Sequence, residues 1–432
     1  MNNFEFLPDD IIITIDVLRP SIFIVDEYET INMTKTEFIK FIDENNATIA
    51  GNGVVYHNNK QGIVPTILNN WFEDRNSFKN KMKEFSNGAD EYIYFDRKQL
   101  ITKILLNSLY GVLLLPSFRF YDKQNGEAVT LSSQDIIKFS NITINKYYKD
   151  NISSFDGDAV QYSDTDSNYI QSIPLLKNKY ETDELIIIKQ VSEISKNVCE
   201  YVNQSLKWLT KRHFNSKNCR LLFQEEKVSK RAFWGLAKKR YAQLTVEVID
   251  GEIKEKIDIK GFDVVRSSFP KTFRKMMKEV IVDILHDASV DDLNQKVRKF
   301  NGEYKKSSIF DIMLPSGVKE ISKFKNGQKG TPIHVKSAQN YNQLLKLFDI
   351  QTIPPIQDGD KIVYAYVKQN PYGFETMALK GQGEDDPELV EFVQKFIDKE
   401  KVFSNTLISK LNTIWGDLGW GEVQLSEPNN FF

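Results

Sequence analysis

The sequence predicts an α+β protein, because strand-like and helix-like stretches follow one another without an internal repeat. Residues 11–24 are rich in β-branched residues and predict a buried strand that runs into a helix or turn at the proline. Residues from about 66 to 82 and from about 95 to 114 predict two helices joined by a polar, glycine-containing link. Asp250-Gly251 lies between two strand-like runs and is a two-residue hairpin signal.

The remaining predicted elements continue this mixture. They are a helix over 128–149, a hairpin over 157–172 and one or two helices over 183–213. After Gly261 the pattern becomes helical. Late in the chain, apolar residues from Leu389 to Ile397 recur at helical spacing behind Pro387, a good first-turn residue, so we assign this stripe to core packing.

The composition excludes several classes of protein. With 432 residues, 41% of them hydrophobic and 12% aromatic, the chain can bury a large core and should form two or three domains. No stretch approaches the roughly 20 apolar residues of a membrane span, and the N-terminus lacks a signal-peptide pattern. Cys199 and Cys219 support neither a disulfide framework nor a zinc site, so a reducing cytosol is expected.

The run from Tyr162 to Ser167, YSDTDS, carries two carboxylates, Asp164 and Asp166, one residue apart. On a strand or its turn both would point the same way, because side chains alternate faces. Two such charges are costly unless a cation joins them, and Mg²⁺ held by carboxylates and substrate phosphates would do so. From these residues alone, a solvent-exposed Asp/Ser turn explains the pattern equally well.

A second constellation lies upstream of that run. On a helix, Lys103, Asn107, Tyr110 and Gly111 share one face. That face offers a cation for a triphosphate, a ring to pack on a base pair and a gap where a nucleobase can approach. An ordinary core helix with a C-terminal glycine cap is the simpler explanation of this stretch taken alone.

Taken together, the two runs resemble motif B (K-x-x-x-N-S-x-Y-G) and motif C (Y-x-D-T-D-S) of the family B DNA polymerases, and both match without a gap. The resemblance covers the chain from about Ile11 onward. It implies a right-hand polymerase with an antiparallel palm sheet, short helical-hairpin fingers and a mostly helical thumb. The implied domains are palm 1–61, fingers 62–114, palm 115–263 and thumb 264–432.

The fingers are implied by a further stretch, from Gly53 to Met82, which resembles the polymerases of T-even-type bacteriophages. Arg75 and Lys79 lie four residues apart on the first fingers helix, a spacing that by itself usually marks a solvated face. In register with Lys103 and Asn107 on the second helix, they are interpreted as a clamp on the β- and γ-phosphates of the incoming nucleotide. Tyr110 and Gly111 complete the implied nucleotide-binding set.

A basic segment follows in the second half of the chain. Between positions 227 and 240 there are six cations and no acids. Within it, Lys238, Lys239, Arg240 and Tyr241 resemble the family's K-K-x-Y element, which contacts primer-template DNA. A basic patch in a chain of net charge −2 also suits a phosphate-backbone footprint, although a solvated basic surface would explain it if it stood alone.

The family's motif A, D-x-x-S-L-Y-P-S-I, is matched least well. The nearest string starts at Asp16; it is two residues short before the leucine, and Arg19 replaces the tyrosine that screens out the ribose 2′-hydroxyl. We expect Asp16 to join Asp164 and Asp166 in holding two Mg²⁺ ions, which Mn²⁺ can replace. If Asp16 cannot reach the metals, Asp10 or a partner chain must compensate, or the protein is inactive. Either Glu225 or Glu226 resembles an acidic position near that metal site.

The resemblance also implies partners. No exonuclease carboxylate cluster precedes motif A, so we expect no exonuclease domain and a separate N-terminal or exonuclease subunit, as in a split phage polymerase of the infected host's cytoplasm. Phe431 and Phe432 end the chain in the manner of a sliding-clamp peptide, unless the tail folds back on the thumb. Besides an active DNA polymerase that uses dNTPs, two hypotheses stay open: a catalytically impaired, DNA-binding paralogue, and a protein-primed or RNA-making nucleotidyltransferase.

Overall fold

The computed structural model describes residues 12–19, 27–178, 180–324 and 328–426, and for 15–19 and 27–29 the backbone alone. The predictions that concern Asp10, Phe431 and Phe432 therefore lie outside the described residues. Helices and short antiparallel strands are mixed along the chain, which confirms the α+β class. By its packing the chain divides into two units, Met1–Glu226 and Lys227–Phe432.

The first unit contains five α-helices and three two-stranded ladders among its described residues. In chain order its elements are β1 (Ile12–Arg19), β2 (Glu27–Thr34), α1 (Lys35–Glu44), β3 (Ala47–Ile49), β4 (Val55–His57), α2 (Ile63–Met82), α3 (Asp90–Val112), α4 (Lys123–Asn151), β5 (Val160–Asp164), β6 (Ser167–Ile170) and α5 (Glu184–Arg212). Each ladder pairs consecutive strands in antiparallel fashion.

Strand β1 lies where the sequence predicts a strand, but residues 12–14, those of the strand with described side chains, are not buried. Ile13 packs on the small cluster around Phe38 and Ile42 of α1, whereas Ile12 is 60% exposed. Because side chains alternate along a strand, Ile12 and Thr14 face away from that cluster. Within the described ranges β2 is the one strand that pairs with β1.

The core of the first unit lies between α4 and α5. Tyr148 of α4 packs into a buried cluster with Val198, Val202 and Leu206 of α5. Burying each such aliphatic side chain stabilises the fold by about 1.5–3 kcal/mol. Helix α4 starts at Lys123, five residues before the predicted start, because the Asp122 side chain caps it by accepting a hydrogen bond from the Asn125 amide.

The second unit contains seven α-helices and two three-stranded antiparallel sheets among its described residues. Its elements are β7 (Val228–Trp234), β8 (Tyr241–Ile249), β9 (Glu252–Lys260), α6 (Lys271–Leu285), α7 (Val290–Tyr304), α8 (Ile309–Ile312), β10 (Leu314–Gly317), α9 (Ile333–Leu347), β11 (Lys361–Tyr366), β12 (Thr376–Leu379), α10 (Pro387–Phe396), α11 (Lys399–Val402) and α12 (Ser409–Asp417). One cluster of buried side chains, centred on α6, spans the unit.

Two local predictions for this unit are confirmed, and one element was not predicted. Asp250 and Gly251 turn β8 into β9 with φ values of +53° and +83°, as a two-residue hairpin turn requires. Helix α10 begins at Pro387 and buries Leu389, Phe392 and Val393. The sheet β10–β11–β12 was not predicted from the sequence. No helix among the described residues has both the length and the apolar character to cross a membrane.

Candidate active site

The two carboxylates of the YSDTDS run lie at the tip of the β5–β6 hairpin. Asp164 is the last residue of β5 and pairs with Ser167, the first residue of β6. Asp166 lies in the turn between them. The direction of its side chain is therefore set by the turn and not by strand alternation, on which the sequence prediction relied. Asp164 is half-buried and Asp166 is exposed to solvent.

The turn itself is tight. The Asp166 amide donates a hydrogen bond of 2.7 Å to the Asp164 carbonyl, two residues back, across Thr165, whose φ is +58°. This is a γ-turn with positive φ, which is rare and strained, and a β-branched residue seldom occupies that conformation. The Ser167 hydroxyl also donates to the Asp164 carbonyl, at 3.1 Å. Such local strain is typical of functional turns.

The donor set at this tip suits a hard cation. Mg²⁺ in proteins is usually held by one or two carboxylates together with substrate phosphates, and Asp164 and Asp166 supply two. Among the residues that the structure describes, no three His, Cys, Asp or Glu side chains come together. Asp16 lies in β1 opposite Thr30, but its side chain is outside the description. Of the three carboxylates that the sequence predicts as metal ligands, the structure thus describes the side chains of two, Asp164 and Asp166.

Helix α4 carries the base of this hairpin, a contact that the sequence did not reveal. The Asn145 Oδ1 accepts from the amides of Ala159 at 2.8 Å and Val160 at 3.4 Å, where β5 begins. The Tyr148 hydroxyl donates to the Gln171 carbonyl at 2.7 Å, just beyond β6. Tyr148 is fully buried, and burial raises its pKa, so the hydroxyl stays a donor.

The three cations of the predicted clamp lie together on the α2–α3 hairpin. Burial comes first in lowering the pKa of Lys79, and the like charges of Arg75, Lys103 and Lys83 add to it. The Arg75 Nε is buried and has no hydrogen-bond partner in the described structure. A cluster of like charges with an unpaired donor is costly for the fold alone, and an anion would relieve it.

Aromatic packing holds these two helices side by side. The rings of Phe78 and Phe95 lie 6.5 Å apart and nearly parallel, and Phe85 stacks on Phe95 at 6.0 Å. The Lys98 Nζ lies 5.3 Å from the Phe78 ring centre and 4.7 Å from that of Tyr94. Contacts of this kind are worth about 0.5–1 kcal/mol each at exposed sites, so the hairpin has its own stabilising contacts beside the cation cluster.

The simpler explanation of α3, a core helix with a glycine cap, is wrong. Thr102 is the one buried residue of this helix, and Tyr110 is 42% exposed. Gly111 lies inside the helix, without a positive φ, and a Cβ there would meet nothing within 4 Å. Neither backbone conformation nor packing within the chain therefore requires a glycine at this position. Lys103 and Asn107 are likewise exposed, so the whole predicted face is open.

The acidic pair Glu225 and Glu226 ends the first unit. Glu225 accepts a hydrogen bond from the Ser192 hydroxyl of α5 at 3.3 Å, and Glu226 is exposed. Glu225 also lines a cavity of about 380 Å³ beside Lys196, Cys199 and Lys207. These contacts place Glu225 on the α5 surface.

In the second unit, the basic segment divides into two parts with different surroundings. The three cations of the β7 part are paired with acids: Lys227 with Asp258 at 2.5 Å, Lys230 with Glu255 at 2.9 Å, and Arg231 with Asp287. Sequence counting could not show this pairing, because the acids lie 25 to 56 residues further on. Three of the six cations predicted to bind phosphates are therefore paired with acidic residues of the same chain.

The other part, Gly235–Arg240, is the loop between β7 and β8. The structure records no ion pair for Lys238 or Arg240 with any described acid. Lys239 has a φ of +63°, and its carbonyl lies so close to Gly261 that a Cβ there would overlap it. Tyr241 begins β8 and is only 7% exposed, so its side chain, unlike that of Lys238, does not offer an open surface for the predicted contact with DNA.

The chain before the predicted clamp peptide is held to the second unit. The Arg298 guanidinium of α7 donates to the carbonyls of Gln424 at 3.0 Å and Ser426 at 3.3 Å. The Asn294 Oδ1 accepts from the Gln424 amide and from the Trp415 indole, at 3.2 Å each. The tail is thus anchored on α7 as far as Ser426.

Comparison with known proteins gives one family. The model of DNA polymerase family B matches residues 11–417. The DNA-directed DNA polymerase of Enterobacteria phage T4 is 26% identical over 335 residues, covering 72% of this chain and 36% of its own length. That of Escherichia phage RB69 is 24% identical over 434 residues, covering 83% and 47%. The DNA polymerase alpha catalytic subunit of Xenopus laevis is 27% identical over 241 residues, covering 56% and 14%.

These relatives are longer than the chain. The matched region is about a third to a half of each phage polymerase and about a seventh of the Xenopus subunit. The match of the family model over residues 11–417 includes the YSDTDS turn, the α2–α3 hairpin and the basic loop.

Proposed function

Because this chain belongs to DNA polymerase family B, we propose that it is the palm, fingers and thumb part of a DNA-directed DNA polymerase. It extends a primer 5′→3′ on a DNA template with dNTPs. The observation that supports the proposal is the β5–β6 tip, where Asp164 ends β5 and Asp166 follows in a tight turn, on a hairpin held by α4.

The hairpin tip would bind the metal ions, and the clamp would bind the triphosphate. Bound Mg²⁺ would lower the pKa of the primer 3′-hydroxyl and neutralise charge on the leaving pyrophosphate. Asp164 and Asp166, with Asp16 as the proposed third carboxylate, would hold it. Arg75, Lys79 and Lys103 bind the triphosphate, since their clustered charges and the unpaired Arg75 Nε favour an anion.

The open face of α3 completes nucleotide binding. Asn107 and Lys103 face solvent one turn apart, and the exposed Tyr110 ring offers a surface for the nascent base pair. Gly111 leaves room for it, as its bare Cα borders open space. The loop cations Lys238, Lys239 and Arg240 contact the phosphate backbone of the primer-template without reading its sequence.

We further propose the partners that the resemblance implies. One is a separate N-terminal or exonuclease polypeptide; for a phage enzyme, the place of action would be the cytoplasm of an infected bacterium. Residues 427–432, which follow the anchored Gln424–Ser426 segment, would dock on a sliding clamp through Phe431 and Phe432.

Primer extension on a labelled primer-template tests the function. We expect the wild-type chain to incorporate dNTPs in preference to rNTPs, alone or with the N-terminal polypeptide, and EDTA to stop it. Asp166→Ala should abolish extension, while Asp156→Ala, which removes an exposed carboxylate from a nearby loop, should retain it. Full extension by Asp166→Ala would refute the assignment of the tip.

A second candidate, a catalytically impaired paralogue that only binds DNA, is favoured by one observation. The motif A string is two residues short and carries Arg19 in place of the tyrosine. Tight primer-template binding without extension under every condition above would support this candidate instead.

A further inference from the structure

We infer that Asn141 of helix α4 is a positioning residue for the two carboxylates of the YSDTDS turn. This inference rests on the proposed function, since it concerns the same site. Asn141 touches neither carboxylate in the contacts that the structure records; it acts through the strand residues beside them.

Asn141 binds both strands of the hairpin at once. Its Oδ1 accepts a hydrogen bond from the Ser163 hydroxyl of β5 at 3.0 Å and another from the Asn168 amide of β6. The Asn168 Nδ2 also donates to the Ser163 hydroxyl, at 3.1 Å. Ser163 and Asn168 are cross-strand partners, one rung below the pair Asp164 and Ser167. The side chain of Asn141 therefore links the two strands at the residue pair next to the tip.

The tip needs such a support for three physical reasons. A two-stranded ribbon is only marginally stable in water. Thr165 holds a positive φ, which costs on the order of 1–3 kcal/mol. Asp164 and Asp166 also bring two carboxylates to the same turn, two residues apart. Without a contact that spans both strands, the turn would relax and the carboxylates would separate.

Comparing Asn141 with two other residues of α4 distinguishes a role in positioning the carboxylates from a role in the stability of the fold. Asn141, Asn145 and Tyr148 lie at i, i+4 and i+7 of α4 and all bond to the hairpin. Asn145 and Tyr148 bond backbone groups at the base of the hairpin, away from the carboxylates. Asn141 bonds side chains at the tip. Removing Asn145 should loosen the fold, whereas removing Asn141 should change the site.

The cluster at the tip is not arranged for stability alone. The Asn168 Oδ1 is buried and has no hydrogen-bond partner among the described residues. An unsatisfied buried acceptor of this kind lowers stability. Asn168 is nevertheless placed so that its amide reaches both Asn141 and Ser163, which is what a fixed tip geometry requires.

The test measures cation binding by the whole chain without nucleotide, using Mn²⁺ as the probe and its free-ion electron paramagnetic resonance signal as the readout. Asp166→Ala defines the part of the binding that belongs to the tip. We expect Asn141→Ala to weaken that part by about tenfold, the lower end of the effect of losing a group bonded directly to a ligand, because Asn141 acts through Ser163 and Asn168. Asn145→Ala should lower the melting temperature and leave the Mn²⁺ affinity within about twofold of wild type.

Primer extension provides the second readout. Asn141→Ala should raise the Mg²⁺ concentration for half-maximal rate by about tenfold, with the KM for dNTP little changed. Asn168→Ala breaks the same rung from the other strand and should reproduce both effects, so it replaces Asn141→Ala if that variant does not fold. The inference is overturned if these variants lose thermal stability and keep the wild-type Mn²⁺ affinity. A wild-type chain that binds Mn²⁺ through Asp166 but makes no DNA refutes the proposed function alone.

Discussion

Lys79 of α2 and Lys103 of α3 repel one another across the α2–α3 hairpin. The pKa of Lys79 is lowered mainly by burial and next by the charges of Arg75 and Lys103. The fold tolerates this repulsion at a surface where nothing within the described chain requires it. A stability cost without a structural benefit indicates a binding role.

We therefore expect Lys103→Gln to separate stability from nucleotide use. The variant should unfold at the wild-type temperature or above, because one repulsive charge is removed. Its KM for dNTP should rise by about tenfold or more, since a charge-assisted hydrogen bond is worth about 1.5–3 kcal/mol. Thermal unfolding and steady-state extension kinetics measure the two effects.

Lys98→Gln is the matched control on the same helix. Lys98 lies over the rings of Phe78 and Tyr94, so its loss should lower stability and leave the KM unchanged. Equal effects of the two substitutions on the KM would contradict the clamp.

The ion pairs of β7 predict which cations bind DNA. The salt dependence of primer-template binding should lose about one unit of slope per phosphate contact removed. Lys238→Ala should therefore reduce the slope of log K against log salt, measured by fluorescence anisotropy. Lys227→Ala, whose lysine is paired with Asp258, should leave it unchanged. A reduction with Lys227→Ala that matches the Lys238 variant would show that β7 also faces the DNA.

The contact between Gly261 and the Lys239 carbonyl predicts a sensitive glycine. Gly261 has a φ of +71° and no room for a Cβ, so Gly261→Ala should destabilise the chain by about 1–3 kcal/mol or more and weaken primer-template binding. Gly302→Ala in α7 is the control, since a Cβ there meets nothing. It should be neutral or stabilising by about 0.5–1 kcal/mol. Denaturant unfolding compares the two, and similar losses from both would contradict the contact.

Two histidines of the second unit should affect stability with opposite signs as pH changes. The Val282 carbonyl and then Glu255 raise the pKa of His286 in the folded chain. Its contribution is therefore present below the ordinary pKa, about 6.5, and is lost as pH rises through the raised value. Burial lowers the pKa of His334, so stability increases as pH rises toward its ordinary value.

Unfolding midpoints measured between about pH 5 and pH 8, the range in which histidine titrates, test this pair. Relative to wild type, His286→Gln should reduce the loss of stability on raising the pH, and His334→Gln should reduce the gain. The same change of slope in both variants would contradict the two environments.

Much of this arrangement could be predicted from the sequence because the signals are local. The Asp250-Gly251 turn, the Pro387 helix start and the two helices around Arg75 and Lys103 depend on neighbouring residues, and all three are present. The YSDTDS hairpin likewise follows from a short run.

What could not be predicted depends on residues far apart in the sequence. The pairing of Arg231 with Asp287 joins positions 56 residues apart, so a count of charges along β7 overstates its positive surface. In the sequence, nothing distinguishes Asn141 from other polar residues of α4. Its role follows only from its contacts with Ser163 and Asn168 in the structure. The exposure of Ile12 depends on what packs on that face of β1, and the local sequence pattern alone does not fix that.

Helix α4 has a further consequence for which changes of length the chain tolerates. At its first turn Gly126 packs so closely on Leu114 that a Cβ would overlap it, and fifteen residues later Asn141 reaches the hairpin tip. Each residue of an α-helix turns it by 100°. A single insertion between these two points would rotate Asn141, Asn145 and Tyr148 away from β5 and β6 together. The exposed faces of α4 can therefore change composition freely, while the number of residues between Gly126 and Asn141 is fixed.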